Sequence, residues 1–196
     1  MPRSKWLSGC CAVLCSLVWA SAGHSAEDAE VRLSPDLDPT FQAVRLKLDP
    51  DKRSYSGSTR TELEVAKSTT VVQFHAEGQR LTRVTLLQGA DTIAVERKSG
   101  GHGLITLTAA RPLAVGRAVL EIEFTHQYGT RAVGLYRAVK DNQGYLYTQF
   151  ESDDAREAFP CWDEPGFKFP YQFTLEVPAQ YEALTNTPIE RQAAEG

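Results

Sequence analysis

An amide and a carboxylate lie two positions apart at the end of a strand-like segment, at Gln149 and Glu151. Because alternate residues of a β-strand point to the same face, we expect the two side chains to project together. An amide beside a carboxylate suits a ligand that carries a cationic amine, since a hydrogen bond to a charged partner contributes about 1.5–3 kcal/mol. The spacing therefore makes the pair a candidate binding site for a ligand with a cationic amine.

Other patterns of catalytic residues are absent from the sequence. No histidine is followed by glutamate, so the zinc-binding pattern HExxH is missing, as are GxSxG and a phosphate-binding glycine loop. His75, His102 and His126 stand in separate β segments, whereas a catalytic zinc needs three protein ligands held together. We therefore predict structural or surface roles for these histidines, and no catalytic residue and no metal ligand in this chain.

The charged residues around the pair have simpler explanations. Asp153 and Asp154 suit a helix start and a solvated surface, and a calcium site stays open although the segment lacks the spaced oxygen ligands of a known calcium loop. Cys161 is followed by Trp162, which favours a buried apolar cysteine over a reactive thiol.

The first 22 residues resemble an export signal. Arg3 and Lys5 precede an apolar run, and small residues at 20–22 supply a cleavage pattern, with a later cut after Ala26 also open. The apolar run is short for a membrane span, and we expect no transmembrane segment after its removal. A bacterial lipidation box at Leu7 to Cys10 precedes most of the apolar run and is therefore disfavoured. The chain is predicted to be secreted or periplasmic.

Short segments of alternating apolar and polar residues dominate the sequence from Phe41 onward. Val44 and Leu46 alternate with charged residues, and seven similar segments follow, separated by turn residues every 8 to 12 positions. This pattern predicts an all-β chain folded as an antiparallel sandwich. One short helix is expected near 153–159, where Asp154 and Glu157 have the spacing of a capping box. A net charge of −4 without a basic block makes nucleic acid an unexpected partner.

One long segment carries a resemblance to a known family. The sequence YLYTQFESDDAREAFPCWDEPGFKFPYQFTLEVP, followed by YEALTNTP, resembles the N-terminal domain of the aminopeptidase N family of zinc metallopeptidases. The resemblance extends from Phe41 to Pro188, with weaker matches such as GLYR upstream. It implies a saddle-like β domain over residues 27–190, followed at 191–196 by a truncated end or linker.

The same resemblance implies roles for the residues of this segment. Gln149 would line the pocket for the first side chain of a peptide, and Glu151 would bind its free α-amino group. Arg156 would pair with an acid, either Asp163 or Glu164. The remaining motif residues would form a joint between this domain and its neighbour: Phe159, Pro160, Cys161, Trp162 and Pro165.

In the family, the zinc ligands and the GxMEN segment belong to a catalytic domain. Residues 1–196 of this sequence contain neither of them. We therefore expect a chain without cofactor, inactive by itself, whose partners are a peptide N-terminus and a catalytic domain. Two alternatives stay open. The chain could be a stand-alone, non-enzymatic module that binds peptides or proteins through an exposed Phe150–Trp162 surface, or a degraded gene product.

Overall fold

Eleven strands and one turn of 3₁₀ helix make up the regular structure of residues 32–194, the part of the chain that the computed structural model describes. The predicted export signal at 1–22 lies outside these residues. The elements are β1 (Leu37–Lys47), β2 (Ser54–Val65), β3 (Thr69–His75), β4 (Arg80–Gln88), β5 (Asp91–Ile93), β6 (Val95–Ser99), β7 (Leu104–Leu113), β8 (Gly116–Gln127), β9 (Gly134–Lys140), β10 (Gln143–Gln149), the 3₁₀ turn (Ala155–Glu157) and β11 (Tyr171–Glu176).

The strands form three sheets, which confirms the predicted all-β class. A six-stranded sheet has the order β11-β1-β2-β8-β4-β5, a three-stranded sheet has the order β3-β7-β6, and β9 and β10 form a separate hairpin. The pairing is antiparallel except between β11 and β1, where Tyr171 lies opposite Gln42 in parallel register. This parallel edge departs from the purely antiparallel expectation. It is possible because a long connection separates β1 from β11 in the chain.

The alternating segments bury their apolar faces as predicted. Thr61, Leu63 and Val65 of β2 are all buried, since every second residue of that strand faces inward. The main hydrophobic cluster joins apolar side chains of the six-stranded and three-stranded sheets, and Trp162 packs into it with its ring centroid 6.0 Å from that of Phe74. The segment after β10 therefore contributes to the core that holds the two sheets together.

The β9–β10 hairpin carries the candidate binding pair at its open end. Its turn residues Asp141 and Asn142 both have positive φ (52° and 63°), as a two-residue hairpin turn of type I′ requires. At the other end, Gly134 lies opposite Gln149 with φ of 61°, and a Cβ atom there would lie 2.7 Å from the Cβ of Glu157. Only glycine therefore allows the hairpin to approach the 3₁₀ turn this closely.

The predicted helix near 153–159 is shorter than expected, because it comprises the single 3₁₀ turn Ala155–Glu157. The capping-box prediction is wrong, since the Asp154 side chain makes no capping hydrogen bond. The backbone N–H of Arg156 instead donates to Oδ2 of Asp163 at 3.0 Å, and Glu157 lies 3.4 Å from Arg131. Within residues 32–194, no helix has the length and apolarity needed to cross a membrane.

Candidate functional site

The three consecutive residues at the end of β10 point alternately outward, inward and outward. Gln149 is the last residue of the strand and Glu151 lies in the turn that follows, so the strand contains only the first member of the predicted pair. Both side chains are exposed, whereas Phe150 between them packs into the core with its ring centroid 5.8 Å from that of Phe159. The inward Phe150 side chain thus fixes the backbone from which the amide and the carboxylate project.

A direct hydrogen bond couples the two members of the pair. The backbone N–H of Glu151 donates to Oε1 of Gln149 at 2.9 Å, which uses the amide oxygen and orients the amide group. Within the described residues, Nε2 of Gln149 donates to no acceptor and the Glu151 carboxylate forms no ion pair. The site therefore offers a free pair of N–H donors beside a free anionic acceptor.

The surroundings of Glu151 are acidic and open. Asp153 and Asp154 follow in the same turn, and the nearby Arg156 is buried against Asp163, with Nη2 of its guanidinium 3.8 Å from Oδ2 of Asp153. Gln149 and Glu151 are both exposed, and two concave regions on residues 32–194, of about 350 and 340 Å³, are lined by other residues. Gln149 and Glu151 consequently form an anionic surface rather than an enclosed pocket, and this surface attracts a cation.

Arg156 holds the segment behind this surface through several contacts. Of the two acids expected as its partner, the structure pairs it with Asp163, whose Oδ2 lies 3.1 Å from Nε. The remaining guanidinium nitrogens donate to the backbone oxygens of His102 at 3.0 Å and of Asp163 at 2.6 Å. Glu164, the other expected acid, accepts a hydrogen bond from the backbone N–H of Leu33 instead.

Side chains from the surrounding strands and turns hold the backbone oxygens of the same segment. Gln42 donates to the carbonyl of Pro160 at 2.9 Å, and Tyr55 donates to the carbonyl of Ala158 at 2.7 Å. Gln79 donates to the carbonyl of Arg156 at 2.7 Å. Sequence reasoning missed these supports. The position of Gln42 on the apolar face of β1, in register with Val44 and Leu46, was the available signal.

The aromatic residues and the cysteine of the motif are buried within this domain. Phe159, Cys161 and Trp162 are at most 3% exposed, so the alternative of an exposed Phe150–Trp162 surface is wrong for these three side chains. Burial raises the pKa of the Cys161 thiol well above its ordinary value, as befits an apolar core residue. Pro160 is buried beside them and Pro165 is exposed. Their contact with a neighbouring domain stays a prediction.

The histidines occupy three different environments. His75 is buried and its backbone forms two hydrogen bonds with Cys161, His102 accepts from Arg156 through its carbonyl, and the ring of His126 packs against that of Tyr55. Within residues 32–194, no group of three His, Cys, Asp or Glu side chains could hold a metal ion. These residues therefore do not fit the zinc that the resemblance implies for the family.

His75 combines burial with an unsatisfied ring nitrogen. Its Nδ1 has no hydrogen-bond partner among the described residues, and the residue is 4% exposed. Burial, and secondly the charge of Arg156, lower the pKa of His75 to about 4. The neutral imidazole is therefore part of the folded structure beneath the motif.

Comparison with known proteins agrees with the resemblance seen in the motif. Residues 38–196 match the family model of the Peptidase M1 N-terminal domain. Aminopeptidase M1-B of Oryza sativa subsp. japonica is 30% identical over 85% of this chain, and Aminopeptidase M1-D of the same organism is 34% identical over 77%. The puromycin-sensitive aminopeptidase of Caenorhabditis elegans is 31% identical over 81%. The matched parts cover only 20%, 18% and 18% of these relatives, so the chain spans about a fifth of their length.

We predict that Arg156→Lys lowers the free energy of unfolding by about 2–4 kcal/mol, because one ammonium nitrogen cannot occupy the three positions from which Nε, Nη1 and Nη2 donate. Urea unfolding followed by circular dichroism measures the loss. The control is Arg131→Lys, since the exposed Arg131–Glu157 pair should contribute less than about 0.5 kcal/mol. Equal effects of the two substitutions would contradict the assigned role of Arg156.

We predict that His75 makes the fold acid-sensitive. Because its folded pKa of about 4 lies below the ordinary 6.5, its neutral form contributes full stability above pH 6.5. Between pH 6.5 and 4 the unfolded chain binds a proton that the folded chain does not, so stability falls by about 1.4 kcal/mol per pH unit, roughly 3 kcal/mol in total.

The measurement compares unfolding free energies of the wild type and His75→Asn between pH 7.5 and 4. His126, whose pKa is also lowered by burial, is present in both proteins and cancels. A difference between the two proteins that stays constant over this pH range would show that His75 does not titrate as described.

Proposed function

Because the chain belongs to the Peptidase M1 N-terminal domain family, we propose that it is the substrate-anchoring domain of a secreted zinc aminopeptidase, which removes N-terminal residues from peptides. In this function Glu151 accepts hydrogen bonds from the cationic α-amino group of the substrate. The aminopeptidase names of the relatives support the reaction class.

The single observation that carries the proposal is the exposed, unpaired Glu151 carboxylate beside the free N–H donors of Gln149. The first residue of a peptide presents a cationic amine and, two bonds from its Cα, a carbonyl oxygen. Glu151 suits the amine, and Gln149, which the resemblance places beside the first side chain, can also donate from Nε2 to the carbonyl. An N-acetylated peptide keeps the carbonyl but has no cation, so the pair distinguishes a free terminus from a blocked one.

The open position of the pair implies that the site is completed by a second surface. An exposed ion pair contributes only about 0–1 kcal/mol, whereas a charge-assisted hydrogen bond shielded from water contributes about 1.5–3 kcal/mol. A catalytic domain placed against Glu151 would supply that shielding and would carry the zinc, since residues 32–194 do not fit a metal. The distance between carboxylate and metal would then limit cleavage to one residue at a time.

The test is a titration of the purified chain with trialanine amide, followed by amide shifts in ¹⁵N-edited NMR spectra. We expect weak binding, with a dissociation constant on the order of ten millimolar, and shifts centred on residues 145–154. Glu151→Gln should weaken binding about fivefold, because it removes roughly 1 kcal/mol of ion pairing. N-acetylation of the peptide should have the same effect on the wild type.

The matched control is Glu96→Gln, which removes an exposed acid from β6 on a different sheet. This variant should bind the peptide as the wild type does. Equal affinity for free and acetylated peptides, or no shifts around Glu151, would refute the anchoring function.

We also propose export through residues 1–22, on the basis of Arg3, Lys5 and the apolar run that follows them. Expressed in a secreting host, the chain should appear outside the cytoplasm with a new N-terminus directly after Ala22, or as late as after Ala26. N-terminal sequencing of the exported protein measures this. An exported chain that begins at Met1, or one that carries lipid on Cys10, would contradict the proposal.

A further inference from the structure

Resting on the proposed anchoring function, we propose that Tyr147 and Tyr136 form a contact surface for the side chain of the peptide's first residue and favour an aromatic one. The sequence motif gives neither tyrosine a role in ligand binding. The inference depends on where the hairpin places the two rings relative to Gln149 and Glu151.

The outward face of β10 presents Tyr147 directly beside Gln149. From Gly144 to Tyr147 burial alternates, with Gly144 buried, Leu146 half-buried and both tyrosines exposed, while Thr148 and Gln149 at the end of the strand are both exposed. Since alternate residues share a face, Tyr147 and Gln149 project to the same side, about 6.6 Å apart along the strand. Tyr147 is thus the next side chain on the surface that carries the candidate binding pair.

Tyr136 holds the Tyr147 ring in one orientation. The two residues are opposite each other in the β9–β10 register, and their rings stack with centroids 5.7 Å apart at an interplanar angle of 29°. The backbone around Tyr136 is fixed because the N–H groups of Gly129 and Arg137 bond to the carbonyls of Leu135 and Gly129. The stacked pair is therefore a rigid aromatic surface, which loses little conformational entropy when a ligand binds to it.

The Tyr147 ring is exposed, and the strand that carries it is held to the core by other side chains. Tyr147 is 50% exposed, although Leu146 and Phe150 on the opposite side already anchor the strand to the core. Exposed rings with polar tips are typical of binding surfaces, since they offer a large apolar area while the hydroxyl stays hydrated. A peptide whose amine lies at Glu151 and whose carbonyl lies at Gln149 can extend an aromatic first side chain toward the Tyr147 ring, which is the next residue on the same face of β10.

The experiment repeats the NMR titration with three peptides: Phe-Ala-Ala amide, Ala-Ala-Ala amide and Ala-Ala-Phe amide. We expect the wild type to bind the first about threefold to tenfold more tightly than the second, as one aromatic contact allows. Tyr147→Ala should reduce the ratio of the affinities for Phe-Ala-Ala amide and Ala-Ala-Ala amide to about one. Tyr147→Phe should retain the preference, since the ring and its stacking remain.

The matched control is Val139→Ala, which truncates an exposed apolar side chain on the opposite face of β9. This variant should keep the full preference. A preference that survives in Tyr147→Ala, or that follows phenylalanine at the third position, would overturn the inference.

The amine dependence is measured separately with Glu151→Gln. If that variant and N-acetylation weaken binding while Tyr147→Ala changes nothing, the tyrosine surface is refuted and the anchoring function stands. If neither weakens binding, the anchoring function fails and the tyrosine surface fails with it.

Discussion

The buried guanidinium of Arg156 is the interaction on which the candidate site depends. The segment between β10 and β11 has only one 3₁₀ turn, so its backbone lacks the regular hydrogen bonds of a sheet. Buried backbone groups without partners are costly, and such a segment keeps one conformation only if side chains supply those partners. Arg156 supplies one of them by donating to the carbonyl of Asp163, and its hydrogen bond to the carbonyl of His102 attaches the segment to the β6–β7 loop.

Three neutral side chains complete this support from other parts of the fold. Gln42, Tyr55 and Gln79 each donate to a carbonyl of the segment, while Phe159 and Trp162 fix it to both hydrophobic clusters. The loop therefore lies at the surface, while buried contacts hold its backbone in place. A binding residue on such a loop can remain exposed and still hold its position, because its neighbours in the chain are immobilised.

The sequence predicts the β class well, because that class depends on local patterns of alternating residues. Alternation identifies the inward residues of β1 and β2, and the motif identifies Asp163 as one of two acids that could pair with Arg156, whereas the binding role of Gln149 and Glu151 stays a prediction. The parallel β11–β1 edge could not be read from the sequence, since alternation is the same in parallel and antiparallel strands. The capping box failed for a related reason: Asp163, seven residues beyond Arg156, reaches the turn through the fold and replaces the local cap.

The Tyr136–Tyr147 pair illustrates another limit of sequence reasoning. Each tyrosine is an ordinary strand residue, and only the cross-strand register of the hairpin brings the rings together. That register depends on the turn at Asp141 and Asn142, where both residues adopt positive φ. A pair of rings brought together by the register of two strands cannot be recognised from the spacing of residues along the chain.

The parallel pairing of β11 with β1 has a consequence for the order of assembly. Because Gln42 meets Tyr171, the sheet edge closes only after nearly all of the described chain has been synthesised. Contacts between residues so far apart in the chain cost more loop-closure entropy than those of a local hairpin, and they form more slowly. The β9–β10 hairpin, whose contacts are local, can thus form early, whereas the segment that follows it is enclosed only when β11 pairs with β1.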